Sequence, residues 1–335
     1  MYKNFYNLSQ NPFQLNANLD FFFNSAGHKR AKAYLRYGLI QGEGFVVVTG
    51  VPGTGKTMLV KELYQSLKQD EDIVIGLMVT SQIGADDTLR VLARTFNVTY
   101  EPGDNKATLL SRLEDFFKEK ARFGKRVLLV VDEAQNLPKE SIEELRMLSN
   151  FEFEGKVIFQ TFLVGQEELG QLLYASDMDQ VKQRIVATYH LKAITDAEIE
   201  QYILFRLAKA GWKNKPEFKE DVFSEIYRFT QGIPRRINTL CDRLLLYGFL
   251  EELLVINLDS VKHVINEIED DYISLNVGNA PEKKVIGGAS DLTQDQRINA
   301  LELQVADLTN TLNKERELLR KAILLQLDMG DVYNN

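Results

Sequence analysis

The apolar positions follow two regimes, with a change near residue 195. Between about residues 40 and 190, short β-branched runs alternate with segments whose apolar residues recur at helical spacing, the pattern of a parallel sheet flanked by helices. Strands are expected over residues 45–49, 73–79, 127–131 and 157–164. Residues 195–271 show helical spacing only, in AEIEQYILFRLAKAG, EDVFSEIYRFTQG, PRRINTLCDRLLLYGFL and LDSVKHVINEIEDD, which predicts a helical bundle packed on the sheet. Residues 272–290 carry Gly, Pro, Asn and Ser with little periodicity and read as a linker. Beyond it, Ile298, Leu301, Val305, Leu308, Leu312 and Leu319 follow spacings of three and four, interrupted at Glu315. This predicts a coiled coil of about three to four heptads within residues 291–327, the alternative being an amphipathic helix folded back on its own protein. The expected organisation is an N-terminal segment with an α/β domain over 1–193, a helical lid over 194–271, a linker over 272–290 and the coiled-coil helix over 291–327.

Two stretches at strand ends carry candidate chemistry. GVPGTGKT, running Gly50, Val51, Pro52, Gly53, Thr54, Gly55, Lys56, Thr57, follows the apolar strand FVVVT and precedes the helical segment that starts at Met58. That is the context of a phosphate-binding P-loop: the glycines let backbone amides curl inward at phosphates, with a helix N-terminus behind them. Lys56 supplies a point charge for β- and γ-phosphates, and the Thr57 hydroxyl is placed to ligate Mg2+. RVLLVVDEAQ then delivers two adjacent carboxylates at the end of a buried strand, where ligand sites of parallel sheets lie. Asp132 is expected to hold the metal, and Glu133 to orient and deprotonate an attacking water.

Composition narrows the setting. The 335 residues are 44% hydrophobic, enough for a sizeable core, and the net charge of -8 argues against broad attraction to nucleic acid or an anionic membrane. A single cysteine, Cys241 in an apolar stretch, reads as a packing residue. The start shows no leader pattern, and the longest apolar runs fall well short of the roughly 20 residues a membrane span needs. A cytoplasmic protein is expected, meeting any membrane through partners. His28, His190 and His263 have no partners at metal-ligand spacing.

Taken with FYNLSQNPFQL, FFFNSAGHKRAKAYLRYGLIQGEGFVVVTGVPGTGKT, FLVGQEEL, QRIVATYHL and TQGIPRRIN, these residues resemble the AAA+ ATPases related to general secretion pathway protein A, most of all those accompanying exosortase and exopolysaccharide systems. The resemblance covers residues 1 to about 270. It implies a P-loop NTPase fold with a helical lid, Mg-ATP as substrate, and self-association into a ring or filament. It also implies partners in a secretion or surface-polysaccharide export apparatus.

Several site residues follow from the resemblance. Gln166 looks like the sensor of the γ-phosphate, against the alternative of a polar residue ending a strand. Arg184 looks like an arginine finger reaching a neighbouring subunit's ATP, against the alternative of a surface arginine. Arg235 looks like the lid sensor, with Arg236 its rival. Pro12 and Phe13, with Ile233 of the lid, are expected to flank the adenine base, hydrophobic anchoring being the competing reading. His28 matches the family pattern, with no derived role. Two other classes stay open: a DNA-associated ATPase of the transposition-regulator type, and an ATP-binding scaffold without turnover.

Overall fold

The computed structural model describes residues 1–79 and 87–277. The chain runs α1 (Tyr2–Phe5), α2 (Ala26–Gln41), β1 (Phe45–Gly50), α3 (Lys56–Leu67), β2 (Ile73–Val79), α4 (Thr88–Thr95), α5 (Lys106–Arg122), β3 (Arg126–Asp132) and α6 (Lys139–Leu148). It continues through β4 (Glu152–Phe153), β5 (Lys156–Val157), β6 (Phe159–Val164), α7 (Glu167–Leu173), α8 (Asp179–Lys182) and β7 (Ile185–Leu191). The last elements are α9 (Asp196–Lys209), β8 (Glu217–Phe218), α10 (Asp221–Thr230), α11 (Pro234–Leu250), β9 (Val255–Ile256) and α12 (Leu258–Val277).

Five parallel strands form one sheet in the order β2-β3-β6-β1-β7. Alternate residues of the central strands feed two cores. Phe45 and Val47 of β1, with Val127, Leu129 and Val131 of β3, pack with the helices α4 to α8. Val46 and Val48, with Leu128 and Val130, pack with α2 and α3. Burial on both faces explains why these strands read as unbroken apolar runs rather than alternating ones.

Two strand expectations are corrected. The run expected over 157–164 is divided: Val157 turns back to pair with Glu152 of β4, and only Phe159–Val164 enters the large sheet. The fifth strand, β7, was not among those expected from the apolar pattern. It is an edge strand whose Thr188 and His190 face solvent, so its sequence IVATYHL lacks the apolar run that marked the others.

The third core is helical. Ile199, Ile203 and Leu207 of α9, Ile226 of α10, Leu240, Leu244 and Leu245 of α11, and Val261 and Val264 of α12 meet there, and Cys241 is buried among them. A two-residue parallel contact between β8 and β9 lies within this region, which the sequence read as helices alone. Helix α9 starts on a capping box, in which the Thr195 side chain and Glu198 satisfy each other's backbone amides. The same Glu198 carboxylate accepts from the Ala26 amide at 2.8 Å and so ties α9 to the start of α2.

The N-terminal segment, grouped by sequence with the sheet domain, packs into this helical core instead. Tyr6, Leu8, Phe13 and Phe21 are buried there. Arg206 of α9 holds the segment by donating to the carbonyls of Pro12 at 2.7 Å, Gln14 at 3.1 Å and Phe21 at 3.5 Å. Helix α12 runs on to Val277, six residues into the expected linker. The remainder of that linker and the predicted coiled coil lie outside the described residues. Among the described residues, no helix is long and apolar enough to cross a membrane.

Candidate functional site

The parallel register brings the C-terminal ends of four strands to one edge. Val48 lies opposite Val164, Val131 opposite Leu163, and Gly50 opposite Leu191. The loop after β1, Glu133 after β3 and Gln166 after β6 therefore converge on a cleft of about 350 Å³. Its walls include residues 52–58, Glu133, Gln166, His28 and, from the helical layer, Arg235. That volume lies in the range of small-ligand sites.

The loop has the shape its glycines permit. Gly53 and Gly55 take φ of +85° and +99°, where an L side chain would be strained. Tertiary packing enforces the same choice: a Cβ on Gly55 would stand 2.9 Å from His28 Nε2, and one on Gly53 would stand 2.8 Å from Arg235 Cβ. The start of α11 thus rests directly on the loop, and the Arg235 amide donates to the Gly53 carbonyl at 3.2 Å.

Lys56 is 5% exposed, and its ammonium donates to the carbonyls of Gly50 at 2.7 Å and Val51 at 3.1 Å. Burial lowers its pKa, opposed by the nearby carboxylates of Glu133 and Asp132. Asp132 lies behind the loop, 2% exposed, and burial raises its pKa while hydrogen bonds from the Thr57 hydroxyl and the Glu133 amide act in the opposite sense. A hydroxyl and a carboxylate so joined form a pair of hard oxygen donors of the kind that suits Mg2+.

Glu133 sits at φ +55°, the left-handed region, which for a residue with a side chain costs on the order of 1 kcal/mol. The turn aims its carboxylate into the cleft. There its Oε2 accepts from Gln135 Nε2 at 2.7 Å and Gln166 Nε2 at 3.3 Å. Gln166 therefore reaches Glu133, whereas Gln135 did not stand out in the sequence.

Pro12 and Phe13 do not line the cleft; Phe13 is 1% exposed within the helical core, and residues 14–18 with Phe21, Phe22 and Phe23 form that wall. Their apolar character answers the demand of a core, the anchoring alternative. Ile233 packs against Gly53 from beneath, while Ile194 and Pro234 line the cleft. Arg235 lines the cleft, and both it and Arg236 line a separate depression with Phe229 and Thr239, so of the two only Arg235 reaches the cleft. Arg184 is exposed at the opposite end of β7, where its guanidinium donates to Asn150 Oδ1 at 2.6 Å. Its carbonyl accepts from Phe45 at the start of β1, so the length of that strand, roughly 17 Å, separates it from the loop.

His28 is a wall residue whose role appears only in three dimensions. It is 3% exposed, its Nδ1 lies 2.7 Å from Ser25 Oγ, and its Nε2 faces the Thr54 and Gly55 backbone. Burial, helped by the Lys32 charge, lowers its pKa to about 4. The folded protein thus resists a proton that the unfolded chain accepts near pH 6.5, so stability falls as pH drops from about 6.5 toward 4. At pH 4.5 the loss from this residue is about 2.5 kcal/mol. Denaturant unfolding at pH 7.5 and 4.5 should show that His28→Gln lacks this share of the acid sensitivity; equal acid sensitivity in parent and variant would contradict it.

Residues 39–173 match the family described as AAA domain. The chain is 36% identical over 249 residues to General secretion pathway protein A of Aeromonas hydrophila, an alignment spanning 74% of this chain and 45% of that protein. It thus spans somewhat under half of that relative's length. Among solved structures it resembles Cdc6p from Pyrobaculum aerophilum, with TM-score 0.62, 17% identity, and 76% and 70% of the two chains covered. It also resembles the Aeropyrum pernix ORC2 protein in its ADPNP-ADP complexes, with TM-score 0.57, 16% identity, and 77% and 72% covered. At such identities these likenesses establish the fold.

Proposed function

From an AAA domain carried on a P-loop AAA+ fold, we propose that this chain binds Mg-ATP in the cleft between sheet and lid and hydrolyses it as an assembled ATPase. The observation that carries this reading is that one cleft gathers the P-loop, Glu133, Gln166 and Arg235.

In this reading the amides of the Gly50–Thr57 loop cradle the phosphates and Lys56 offsets their charge. Thr57 and Asp132 would hold the magnesium ion, which would supply charge neutralisation for the phosphates. Glu133 orients and deprotonates the attacking water, and Gln166 sits where it reads the γ-phosphate. Arg235, fixed to Gly53 through the backbone, couples the lid to the occupied loop. Arg184 is too far from its own cleft to act there and serves the site of a neighbouring copy, so activity requires self-association.

The identity to General secretion pathway protein A supports a secretion-associated role. The client we favour is a secretion or surface-polysaccharide export apparatus, with the ATPase working in the cytoplasm and reaching the membrane through partners. The resemblance of residues 1 to about 270 to exosortase-associated ATPases points to the polysaccharide branch.

The nucleotide-binding step is tested by titrating a fluorescent ATP analogue. Lys56→Ala removes a charge-assisted contact to phosphate and should weaken binding about 10- to 100-fold. An unchanged Kd would place the nucleotide elsewhere.

A further inference from the structure

We propose that Gln135 is a positioning residue that sets the Glu133 carboxylate for catalysis by bridging it to the backbone at the end of β6. This inference rests on the ATPase reading above.

Three contacts define the bridge. Gln135 Oε1 accepts from the Gln166 backbone amide at 3.0 Å, Gln135 Nε2 donates to Glu133 Oε2 at 2.7 Å, and Gln166 Nε2 reaches the same oxygen at 3.3 Å. A backbone amide can only donate, so it fixes which end of the Gln135 amide faces β6. The Nε2 end is thereby turned to the carboxylate. Close packing holds the arrangement: a Cβ on Gly165 would stand 2.7 Å from Gln135 Oε1 and 3.2 Å from the Gln135 amide nitrogen.

The bridge answers a specific mechanical need. Glu133 leaves β3 in the left-handed region, at φ +55° and ψ +39°, and its side chain must span from that turn into the cleft. Two amide donors on one carboxylate oxygen restrain the rotation of the group. Gln135 itself does not line the cleft, so it acts on the reaction only through Glu133. The contact also ties the general base to the residue expected to read the γ-phosphate, because one side chain holds Glu133 while gripping the backbone of Gln166.

Gln135→Glu is the sharpest variant. It has the same length and keeps an acceptor for the Gln166 amide, but it has no N–H for Glu133. Gln135→Met removes both contacts and serves as a second variant should the first melt at a lower temperature. Each would be made in the full chain and in a Glu133→Ala background, with kcat, KM and the ATP Kd measured at assembling concentrations. The expected result is a kcat lowered about tenfold or more with the ATP Kd held within about twofold, and no further loss in the Glu133→Ala background. A variant matching the parent while Glu133→Ala still abolishes turnover would overturn the proposal, as would an equal fold-loss in the Glu133→Ala background or a parallel rise in Kd. Turnover absent from the parent, or untouched by Glu133→Ala, would instead sink the ATPase reading on which the proposal rests.

Discussion

Glu133→Gln should reduce ATP turnover by about 10²- to 10⁴-fold while leaving nucleotide binding intact. The substitution is nearly isosteric, and the glutamine carbonyl can still accept from the two amide donors that hold the native Oε2, Gln135 Nε2 and Gln166 Nε2. The left-handed backbone at this position, φ +55°, makes no new demand on glutamine. What disappears is the basicity that takes a proton from water, so the loss should fall on kcat and spare the ATP Kd. Single-turnover hydrolysis beside a binding titration separates the two. Turnover within threefold of the parent, as a rough bound on an ordinary surface change, would remove Glu133 from the mechanism.

Arg184→Ala should cost about 10³-fold in the turnover of the assembled protein and nothing in nucleotide affinity. The reasoning is geometric. Arg184 is exposed, its guanidinium donates to Asn150, and the length of β1 lies between it and the P-loop of its own chain. A cation so placed cannot neutralise charge at its own γ-phosphate, but on the surface it can enter a neighbour's cleft. Mixing Arg184→Ala with Glu133→Gln provides the check: each supplies what the other lacks, so the mixture should recover activity that neither has alone. Full activity of Arg184→Ala at every concentration would return the residue to an ordinary surface role.

Much of this site could be read from the chain because its chemistry is local. The P-loop needs a strand, a glycine turn and a helix in immediate succession, and residues 45–67 contain all three within one stretch of sequence. The acidic pair is likewise marked by the apolar run of β3 that ends on it. Gln135 was silent because one of its two partners, the Gln166 amide, lies just past the next strand of the sheet, and only the register of β3 with β6 brings them together. Pro12 and Phe13 were misplaced because an apolar pair suits a core as well as a base, and the choice was made by Arg206, nearly 200 residues away, which pins that segment to the helical layer. Strand β7 escaped the pattern because an edge strand shows solvent on one side and carries polar residues there. The two arginines of α11 could be separated only once its first turn was seated on Gly53, which places Arg235 in the cleft wall and leaves Arg236 out of it.

The measurement closest to the central claim is phosphate release from ATP by the full chain over a series of protein concentrations, with magnesium and with a chelator. The account predicts release that requires magnesium and a specific activity that rises with concentration. ATP bound at the P-loop but never turned over at any concentration, with magnesium present, would contradict it.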